Sequence, residues 1–302
     1  MSNVLSTPSL PPERLSKGQA PELSARGRVE TLAEGVTLYL GDCRTILPSL
    51  GRVDAVVTSP PYDQQRRYGL KQFNWRQTVC NALRSVGSHD VQILVNLGLI
   101  HRDGEVVRYW DALIGEMRDH GWRLFGWYAW DQLSGMSGEW GGRLAPSFEF
   151  IFHFNRVARI LNKTKPTLGG KIHGPNLRNA DGTANRKNHH GFEVQPTKIP
   201  DSVIRCVRET SFGYEAEHPA RFPEAFAREL IAPFSDRGQT ILDPFMGSGT
   251  TGVAAVKLGR RFIGIEIEPK YFDIACCRIS EALKQPDLFI EKPHPIKQER
   301  FL

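Results

Sequence analysis

Residues 240–252 read TILDPFMGSGTTG. A short strand pattern leads into a turn whose glycines, Gly247, Gly249 and Gly252, have the spacing G-x-G-x-x-G, and a helix pattern follows. Such glycines permit a tight turn and a close approach of the backbone to a ligand. Glu266 ends the next predicted strand, where a carboxylate can accept hydrogen bonds from both hydroxyls of a ribose. The stretch predicts an α/β fold with a nucleoside-cofactor site that would also suit NAD, and glycines serving only the turn are the alternative.

Strand and helix patterns alternate along most of the chain. Strands are predicted at residues 36–40, 53–58, 91–97, 122–130, 147–154, 240–242 and 262–267, and helices at 75–86, 107–117, 223–231, after 249 up to about 259, and 271–283. This alternation is typical of a doubly wound, mostly parallel sheet with helices on both faces. The 302 residues, 40% of them apolar, suffice for one large domain or two small ones. Because side chains alternate along a strand, one face of residues 147–154 should carry Phe148, Phe150, Phe152 and Phe154.

Composition excludes several classes of protein. The longest mostly apolar run, residues 91–100, is about half as long as a membrane span, which rules out a transmembrane role. Residues 1–30 contain no apolar region of a secretory signal and are predicted to form a flexible tail. Five cysteines, two of them adjacent at Cys276 and Cys277, argue against a disulfide framework and against a metal site. We therefore expect a reduced cytoplasmic protein that holds no metal.

Residues 58–62 read TSPPY and follow an apolar strand pattern, where ligands collect in open α/β sheets. Two consecutive prolines have fixed φ angles and no N–H groups, so they hold the Pro60 carbonyl rigidly as an acceptor. The Ser59 hydroxyl adds a second acceptor, and Tyr62 adds a flat ring. Two acceptors and a stacking surface fit the exocyclic amino group of a nucleobase, whereas a plain Pro-Pro turn after a strand is the alternative.

The basic residues are concentrated in one segment. Between Arg156 and Arg208 the chain has eleven Lys and Arg against three Asp and Glu, a surplus of +8 that exceeds the net charge of +6 of the whole chain. Periodicity also fades between residue 155 and about residue 217. The surplus indicates a polyanionic partner, and a solvated surface segment is the alternative.

Together the two motifs resemble those of the DNA amino-methyltransferases, which use S-adenosylmethionine to methylate an exocyclic nitrogen of a DNA base. The family's catalytic motif, (Asp/Asn/Ser)-Pro-Pro-(Tyr/Phe/Trp), corresponds to residues 59–62, and its cofactor motif to residues 243–249. A further cofactor segment of the family resembles residues 218–224, which read HPARFPE. The catalytic motif comes first and the basic segment lies between the two, which is the circularly permuted order of the β class. The resemblance covers about residues 36–283 without the basic segment, and it implies a Rossmann-like methyltransferase fold.

The resemblance also implies residue roles. The catalytic residues are Ser59, Pro60, Pro61 and Tyr62. The cofactor-binding residues are Asp42, His218, Ala220, Phe222, Asp243, Phe245, Gly247, Ser248, Gly249, Thr250 and Glu266. Within this set, Glu266 corresponds to the acid that binds the ribose and Asp42 to the acid that binds the adenine amino group. Asp42 is also a common helix N-cap residue, and it could serve in both ways.

In the β class the segment between the motifs recognises the DNA target, which agrees with the charge surplus. The resemblance thus divides the chain into a tail (1–30), a catalytic half (31–154), a target-recognition insert (155–217), a cofactor-binding half (218–284) and a C-terminal tail (285–302). Candidate contacts to double-stranded DNA are Arg66, Arg67, Lys163, Lys165, Lys171, Arg186 and Lys187. An ordinary solvated loop is an equal alternative for Arg66 and Arg67. A cognate restriction endonuclease, within a restriction-modification system, is a further candidate partner.

Ser59 bears on the target base. Within the family, Ser at this position is typical of cytosine-N4 enzymes and Asp of adenine-N6 enzymes, so N4-cytosine is favoured and N6-adenine is the alternative. An NAD-dependent oxidoreductase would explain the glycines but leave residues 59–62 and the basic segment without a purpose. A catalytically silent DNA-binding regulator would explain the basic segment but not the two motifs.

The C-terminal tail carries a short motif of its own. Residues 285–289 read QPDLF, which resembles the Gln-x-x-Leu-Phe peptide by which bacterial replication proteins dock on the sliding clamp. Gln285, Leu288 and Phe289 would form that contact. The alternative is that Leu288 and Phe289 pack on the protein's own surface.

Overall fold

The computed structural model describes residues 27–62, 74–87, 89–135, 138–167, 171–172, 192–193, 195–208 and 222–285. The strands are β1 (Arg28–Ala33), β2 (Val36–Leu40), β3 (Ala55–Thr58), β4 (Gln92–Leu97), β5 (His101–Arg102), β6 (Glu105–Val106), β7 (Arg123–Asp131), β8 (Phe148–Asn155), β9 (Lys165–Pro166), β10 (Lys171–Ile172), β11 (Phe192–Glu193), β12 (Thr197–Lys198), β13 (Val203–Arg205), β14 (Thr240–Asp243) and β15 (Arg261–Glu266). The helices are α1 (Cys43–Ile46), α2 (Asn81–Arg84), α3 (Trp110–Asp119), α4 (Glu224–Phe234), α5 (Thr250–Lys257) and α6 (Pro269–Lys284). A 3-10 turn (Leu47–Ser49) follows α1, and a π-helical turn (Arg76–Cys80) leads into α2. In this described part of the chain, every helix is too short or too polar to cross a membrane.

Nine strands form one sheet in the order β1-β2-β15-β14-β3-β4-β8-β7-β13. The five strands from β2 to β4 in that order run parallel, whereas β8 is antiparallel to both β4 and β7. The carboxyl ends of six strands therefore lie at one edge of the sheet, together with the amino end of β8. These six strands are β2, β15, β14, β3, β4 and β7. β14 lies beside β3 although it comes much later in the chain. The predicted doubly wound, mostly parallel sheet is confirmed.

Helices cover both faces of this sheet, and its central strands alternate between two apolar cores. In β3, Val56 belongs to the core that contains α3, whereas Ala55 and Val57 belong to the core that contains α4, α5 and α6. In β4, Ile93 belongs to the core that contains α3, and Leu94 belongs to the other core. All six residues of β4 are buried, as expected for a central strand that is covered on both faces.

The phenylalanines of β8 share one face, as predicted. Phe150 and Phe152 pack against Trp110 of α3, with ring centroids 5.5 and 6.0 Å from the indole. The rings of Phe148 and Phe150 lie 5.3 Å apart, and Phe154 belongs to the same core. This packing anchors β8 and sets where its amino end lies on the sheet edge.

β1 begins at Arg28, within the range that the sequence analysis assigns to the N-terminal tail. It pairs with β2 in antiparallel register, and Arg28 forms ion pairs with Glu30 and Asp273. None of its six residues is fully buried. An edge strand of this kind lacks the apolar alternation by which a half-buried strand is recognised, which explains why the sequence did not predict it. Residues 1–26 lie outside the described chain.

The range 155–217 is built partly into the same sheet. Asn155 is the last residue of β8, and β13 extends the sheet beside β7. Between them, the Asn162 side-chain amide donates to the carbonyls of Ala232 and Ser235 at the end of α4, at 3.2 and 2.9 Å. The short strands form two antiparallel pairs, β9 with β12 and β10 with β11, so that β9 and β10 lead away from the sheet and β11 and β12 lead back. Strands of two or three residues are too short to show a periodicity in the sequence.

Candidate active site

Loops at the shared edge of the sheet enclose a cavity of about 270 Å³. Of the residues predicted from the sequence, its wall contains Asp42, Ser59, Pro60, Pro61, Tyr62, Phe222, Asp243, Phe245, Gly247, Ser248, Thr250 and Glu266. The wall also contains residues that the sequence analysis missed, among them Arg44, Asn74, Gln77 and Tyr271. The catalytic and cofactor motifs therefore face one space, because each follows a parallel strand at the same edge.

Asp243 ties the two motifs together. Its carboxylate accepts hydrogen bonds from the hydroxyls of Thr58, at 2.7 Å, and Thr251, at 2.6 Å, and from the backbone N–H of Phe245, at 3.1 Å. Burial raises the pKa of Asp243 to about 6, although these three donors oppose the shift. Thr58 immediately precedes the catalytic motif, so Asp243 holds the cofactor loop against the catalytic strand.

Two of the motif glycines serve the packing of α5. Gly249 has φ +84°, which strains other residues, and a Cβ there would lie 2.9 Å from the Cβ of Ala275 in α6. A Cβ on Gly252 would overlap Ile279 of α6 and Phe262 of β15. Gly249 does not line the cavity. A side chain at Gly249 would therefore disturb helix packing first, and the predicted contact of its backbone with the cofactor stays a prediction.

Glu266, the last residue of β15, holds the cofactor loop in place through hydrogen bonds. One carboxylate oxygen accepts the N–H of Gly247 at 2.7 Å, and the other accepts the N–H groups of Ile267 and Glu268 at 2.9 and 2.8 Å. Burial raises the pKa of Glu266 to about 7, and the three backbone donors limit the rise. A carboxylate offers about four acceptor positions, so Glu266 retains capacity for a ligand hydroxyl.

Asp42 caps α1 and also lines the cavity, and its predicted contact with the adenine amino group stays a prediction. Its carboxylate accepts the backbone N–H of Arg44 at 2.9 Å, and its second oxygen lies 2.5 Å from the Arg44 guanidinium. The hydrogen bond to Arg44 holds the pKa of Asp42 below its usual value, against the opposing effect of burial.

Tyr62 is held from two sides. Its hydroxyl donates to the Glu149 carboxylate at 2.7 Å and accepts from the Asn96 amide at 3.0 Å. A Cβ on Gly98, just after β4, would lie 2.6 Å from the Tyr62 ring. Only glycine leaves room for the ring at this point, so the loop after β4 sets the ring's position.

Asn96 and Glu149 are functional candidates that the sequence analysis missed. The Asn96 amide also donates to the Glu149 carboxylate, at 2.6 Å, so Tyr62, Asn96 and Glu149 form a closed triangle of hydrogen bonds. Asn96 is a buried polar residue within an apolar strand. This polar position in an apolar run is the sequence feature that could have identified it as a functional residue. No local pattern marks Glu149, because it is 53 positions from Asn96 in sequence.

Several predicted site residues have no described position: Arg66, Arg67, Arg186, Lys187, His218, Ala220, Leu288 and Phe289. Lys163 is exposed, whereas Lys165 forms an ion pair of 2.5 Å with Glu229 of α4. The structure places the backbone of Lys171 in β10 and Gln285 at the end of α6. Sliding-clamp docking and a partner endonuclease stay predictions.

The DNA methylase family of N6 and N4 methyltransferases matches residues 53–276. The chain belongs to this family. This DNA methyltransferase is 30% identical over 251 residues to the orphan methyltransferase M.BamHII of Bacillus amyloliquefaciens, which covers 78% of this chain and 89% of that protein. It is 26% identical over 288 residues to the type II methyltransferase M.Cfr9I of Citrobacter freundii, covering 81% and 88% of the two chains.

Two solved structures show the same Rossmann-like methyltransferase fold. The cytosine-N4-specific PvuII DNA methyltransferase matches with a TM-score of 0.60 and 21% identity, over 80% of this chain and 85% of that one. The complex of M1.HpyAVI with S-adenosylmethionine matches with a TM-score of 0.53 and 21% identity, over 80% and 98%. As a member of this family, the methyltransferase is an S-adenosylmethionine-dependent enzyme that acts on DNA, as the resemblance implied, and not an NAD-dependent oxidoreductase.

The residues of the cavity fit S-adenosylmethionine. Glu266 keeps acceptor capacity for ribose hydroxyls, and Asp42 is an acceptor for an amino group such as that of adenine. Phe222 and Phe245 supply apolar surface in the same wall. We expect the methionine part to lie along the loop at Gly247, beside the catalytic motif.

Proposed function

We propose that this methyltransferase modifies the N4 amino group of cytosine in double-stranded DNA. Ser59 supports this choice, because Ser at the first position of the catalytic motif is typical of cytosine-N4 members of the family. Ser59 and Pro60 both line the cavity that contains Glu266 and the glycine loop. The acceptors for the base and the residues for the cofactor are therefore within reach of one bound pair of substrates.

The amino nitrogen of a nucleobase is a weak nucleophile because its lone pair is delocalised into the ring. The Ser59 hydroxyl oxygen and the Pro60 carbonyl accept its two N–H bonds and turn the lone pair out of the base plane. S-adenosylmethionine supplies an electrophilic methyl group, whose bond to nitrogen forms as its bond to sulfur breaks. The protein contributes position and electrostatics and needs no nucleophile of its own.

The target nitrogen is inaccessible within a duplex, so the base must leave the helix before it reaches Ser59. The Tyr62 ring lines the cavity and is held by Gly98 and Glu149. A ring fixed in this way is a suitable surface for stacking the flipped base.

We infer that the target-recognition insert, residues 155–217, binds the duplex around the flipped base. Its eleven basic residues between Arg156 and Arg208 supply the charge for phosphate contacts. Because β13 lies parallel to β7, the chain of the insert reaches the cavity edge of the sheet where it leaves β13, after Arg205. This position would let it hold the duplex against the catalytic loop.

The experiment is a nucleoside analysis of unmodified DNA treated with the purified protein and S-adenosylmethionine. We expect N4-methylcytosine, separated by chromatography from 5-methylcytosine, and much slower formation of the same product by the Ser59→Ala variant. N6-methyladenine would contradict the choice of base but not the family's chemistry. Sequencing the product would identify the recognition site.

A further inference from the structure

Methyl transfer leaves the amino nitrogen with a positive charge and one proton too many. Ser59 carries no charge, and its hydroxyl can take up a proton only if it passes its own proton on. The Pro60 carbonyl cannot do so. A base in hydrogen-bonded contact with the catalytic loop would give this proton a path out of the site.

Apart from Glu268, the N-cap residue of α6, the carboxylates of the cavity wall already accept hydrogen bonds from the protein. Asp243 accepts three hydrogen bonds, from two hydroxyls and one backbone N–H. Glu266 accepts three backbone N–H groups, and Asp42 is paired with Arg44. Each of these carboxylates stabilises a loop through donors that lie outside residues 59–62.

Glu149 differs from these carboxylates because it contacts the catalytic loop. One of its oxygens accepts the Tyr62 hydroxyl at 2.7 Å and the Asn96 amide at 2.6 Å. The Asn96 amide also donates to the Tyr62 hydroxyl, so the Tyr62 proton is directed toward Glu149. β8 is antiparallel to β4, and this topology brings the second residue of β8 to the end of the catalytic edge.

Tyr62 also connects to Ser59. Burial and the Glu149 carboxylate raise the pKa of Tyr62 well above its usual value, whereas a hydrogen bond from the Ser59 side chain lowers it. Ser59 and Tyr62 lie three positions apart in one loop and both line the cavity, and the Tyr62 hydroxyl donates to the Glu149 carboxylate. This arrangement offers a path from Ser59 through Tyr62 to Glu149.

We propose that Glu149 is the proton acceptor of the reaction and acts through Tyr62 and Ser59. As the methylated amino group gives one proton to Ser59 Oγ, the Ser59 proton moves to Tyr62 Oη and the Tyr62 proton moves to Glu149 Oε2. The products are a neutral methylated base and a protonated Glu149, and both hydroxyls are restored. Before transfer, the negative charge of Glu149 also stabilises the positive charge that develops on nitrogen.

This inference rests on the proposed role of Ser59, and it holds for either target base. Glu149→Gln retains an oxygen that can accept the Tyr62 hydroxyl but loses the charge and the capacity to take the proton. Tyr62→Phe retains the ring for stacking and loses the relay. We expect each variant to slow single-turnover methylation about a hundredfold, the scale of a missing general base. Because both changes interrupt one path, the double variant should be no slower than the slower single variant.

The matched control is Glu281→Gln, which makes the same chemical change at an exposed position of α6. It should methylate at the wild-type rate. Binding of S-adenosylmethionine and of DNA should be unchanged in Glu149→Gln. If Glu149 only orients the ring, Glu149→Gln and Tyr62→Phe will both stay near the wild-type rate, and that outcome would overturn the proposal.

A measurement without cofactor tests the hydrogen bond itself. In protein labelled with carbon-13 at tyrosine Cζ, the signal of Tyr62 is identified by its disappearance in Tyr62→Phe. We expect the Tyr62 signal at neutral pH to differ between Glu149→Gln and the wild type, because a hydrogen bond to a carboxylate is stronger than one to an amide oxygen. An unchanged signal would contradict the contact. If the wild-type protein produces no methylated base, the proposed function fails, and this comparison still decides whether Glu149 faces Tyr62.

Discussion

The cavity wall and the basic segment at residues 156–208 are built in opposite ways. In the cavity, Asp243 and Glu266 each accept three hydrogen bonds from the protein itself. The described part of the basic segment is attached by Asn162 and β13, and basic side chains such as Lys163 are exposed. In the cavity each of these carboxylates is held by several donors, whereas the described basic side chains of the segment are exposed, as Lys163 is, or held by a single ion pair, as Lys165 is with Glu229.

The difference follows from what each region must bind. Methyl transfer requires acceptors and cofactor to be aligned closely, because a small misplacement of the reacting atoms costs much of the rate. Attraction to a phosphate backbone depends on the number of positive charges and tolerates looser geometry. Substitutions in the cavity should therefore have large effects on chemistry, and single substitutions in the basic segment should have small effects on binding.

The largest effect is expected at Ser59. Ser59→Ala removes one of two acceptors for the amino group and should lower the methylation rate by about a hundredfold to a thousandfold, the scale of removing one transition-state hydrogen bond. S-adenosylmethionine affinity, measured by calorimetry, should stay unchanged because Ser59 acts on the base. The same change at Ser280 on α6 serves as the control. If Ser59→Ala methylates DNA at the wild-type rate, the cavity is no more sensitive to substitution than the basic segment, and the comparison fails.

Burial of Glu266 predicts a pH effect on stability. The pKa is about 7 in the folded protein against an ordinary 4.5, so between these values the folded state keeps a proton that the unfolded chain has released. Stability should then fall as pH rises through this window, by about 3 kcal/mol in total for this group.

The measurement is denaturant unfolding of cofactor-free protein between pH 4.5 and 7.5, for the wild type and Glu266→Gln. Asp243, whose pKa is also raised, contributes to both proteins. The difference between their slopes against pH isolates Glu266, and parallel slopes would show that its carboxyl is not buried as the structure has it.

Glu266→Ala should weaken S-adenosylmethionine binding about tenfold to a hundredfold, the scale of removing a hydrogen bond to a charged group. Glu281→Ala on α6 is the control for removal of an acidic side chain. Gly249→Val, by contrast, should chiefly lower the melting temperature, because its side chain would press on Ala275. Wild-type affinity in Glu266→Ala would exclude the carboxylate from the cofactor site.

The smallest effects are expected in the basic segment, and two neighbouring lysines should differ. Lys163→Gln removes an exposed charge and should lower the slope of log binding constant against log salt by about 0.9, the amount expected when one phosphate is no longer neutralised. Lys165→Gln should change that slope less, because Lys165 is paired with Glu229. Fluorescence anisotropy at several salt concentrations measures both, and equal slopes for the wild type and Lys163→Gln would indicate that Lys163 is merely solvated.

The sequence by itself predicted most of the residues that face the cavity from the two motifs. Ser59, Glu266 and Gly247 each follow or end a strand whose pattern is visible locally, and parallel strands bring such positions to one edge. The same local reasoning could not find β1, whose residues are partly exposed. It also could not find β13, which is only three residues long.

Only the tertiary structure decided how those residues are supported. Glu149 reaches Tyr62 across 87 positions because β8 runs antiparallel beside β4, and Gly249 serves α6 because two helices pack closely there. Hydrophobic periodicity specifies that a segment is a strand and which face is buried. Which strands become neighbours depends on packing of the whole sheet, so contacts between distant polar side chains leave no local pattern in the sequence.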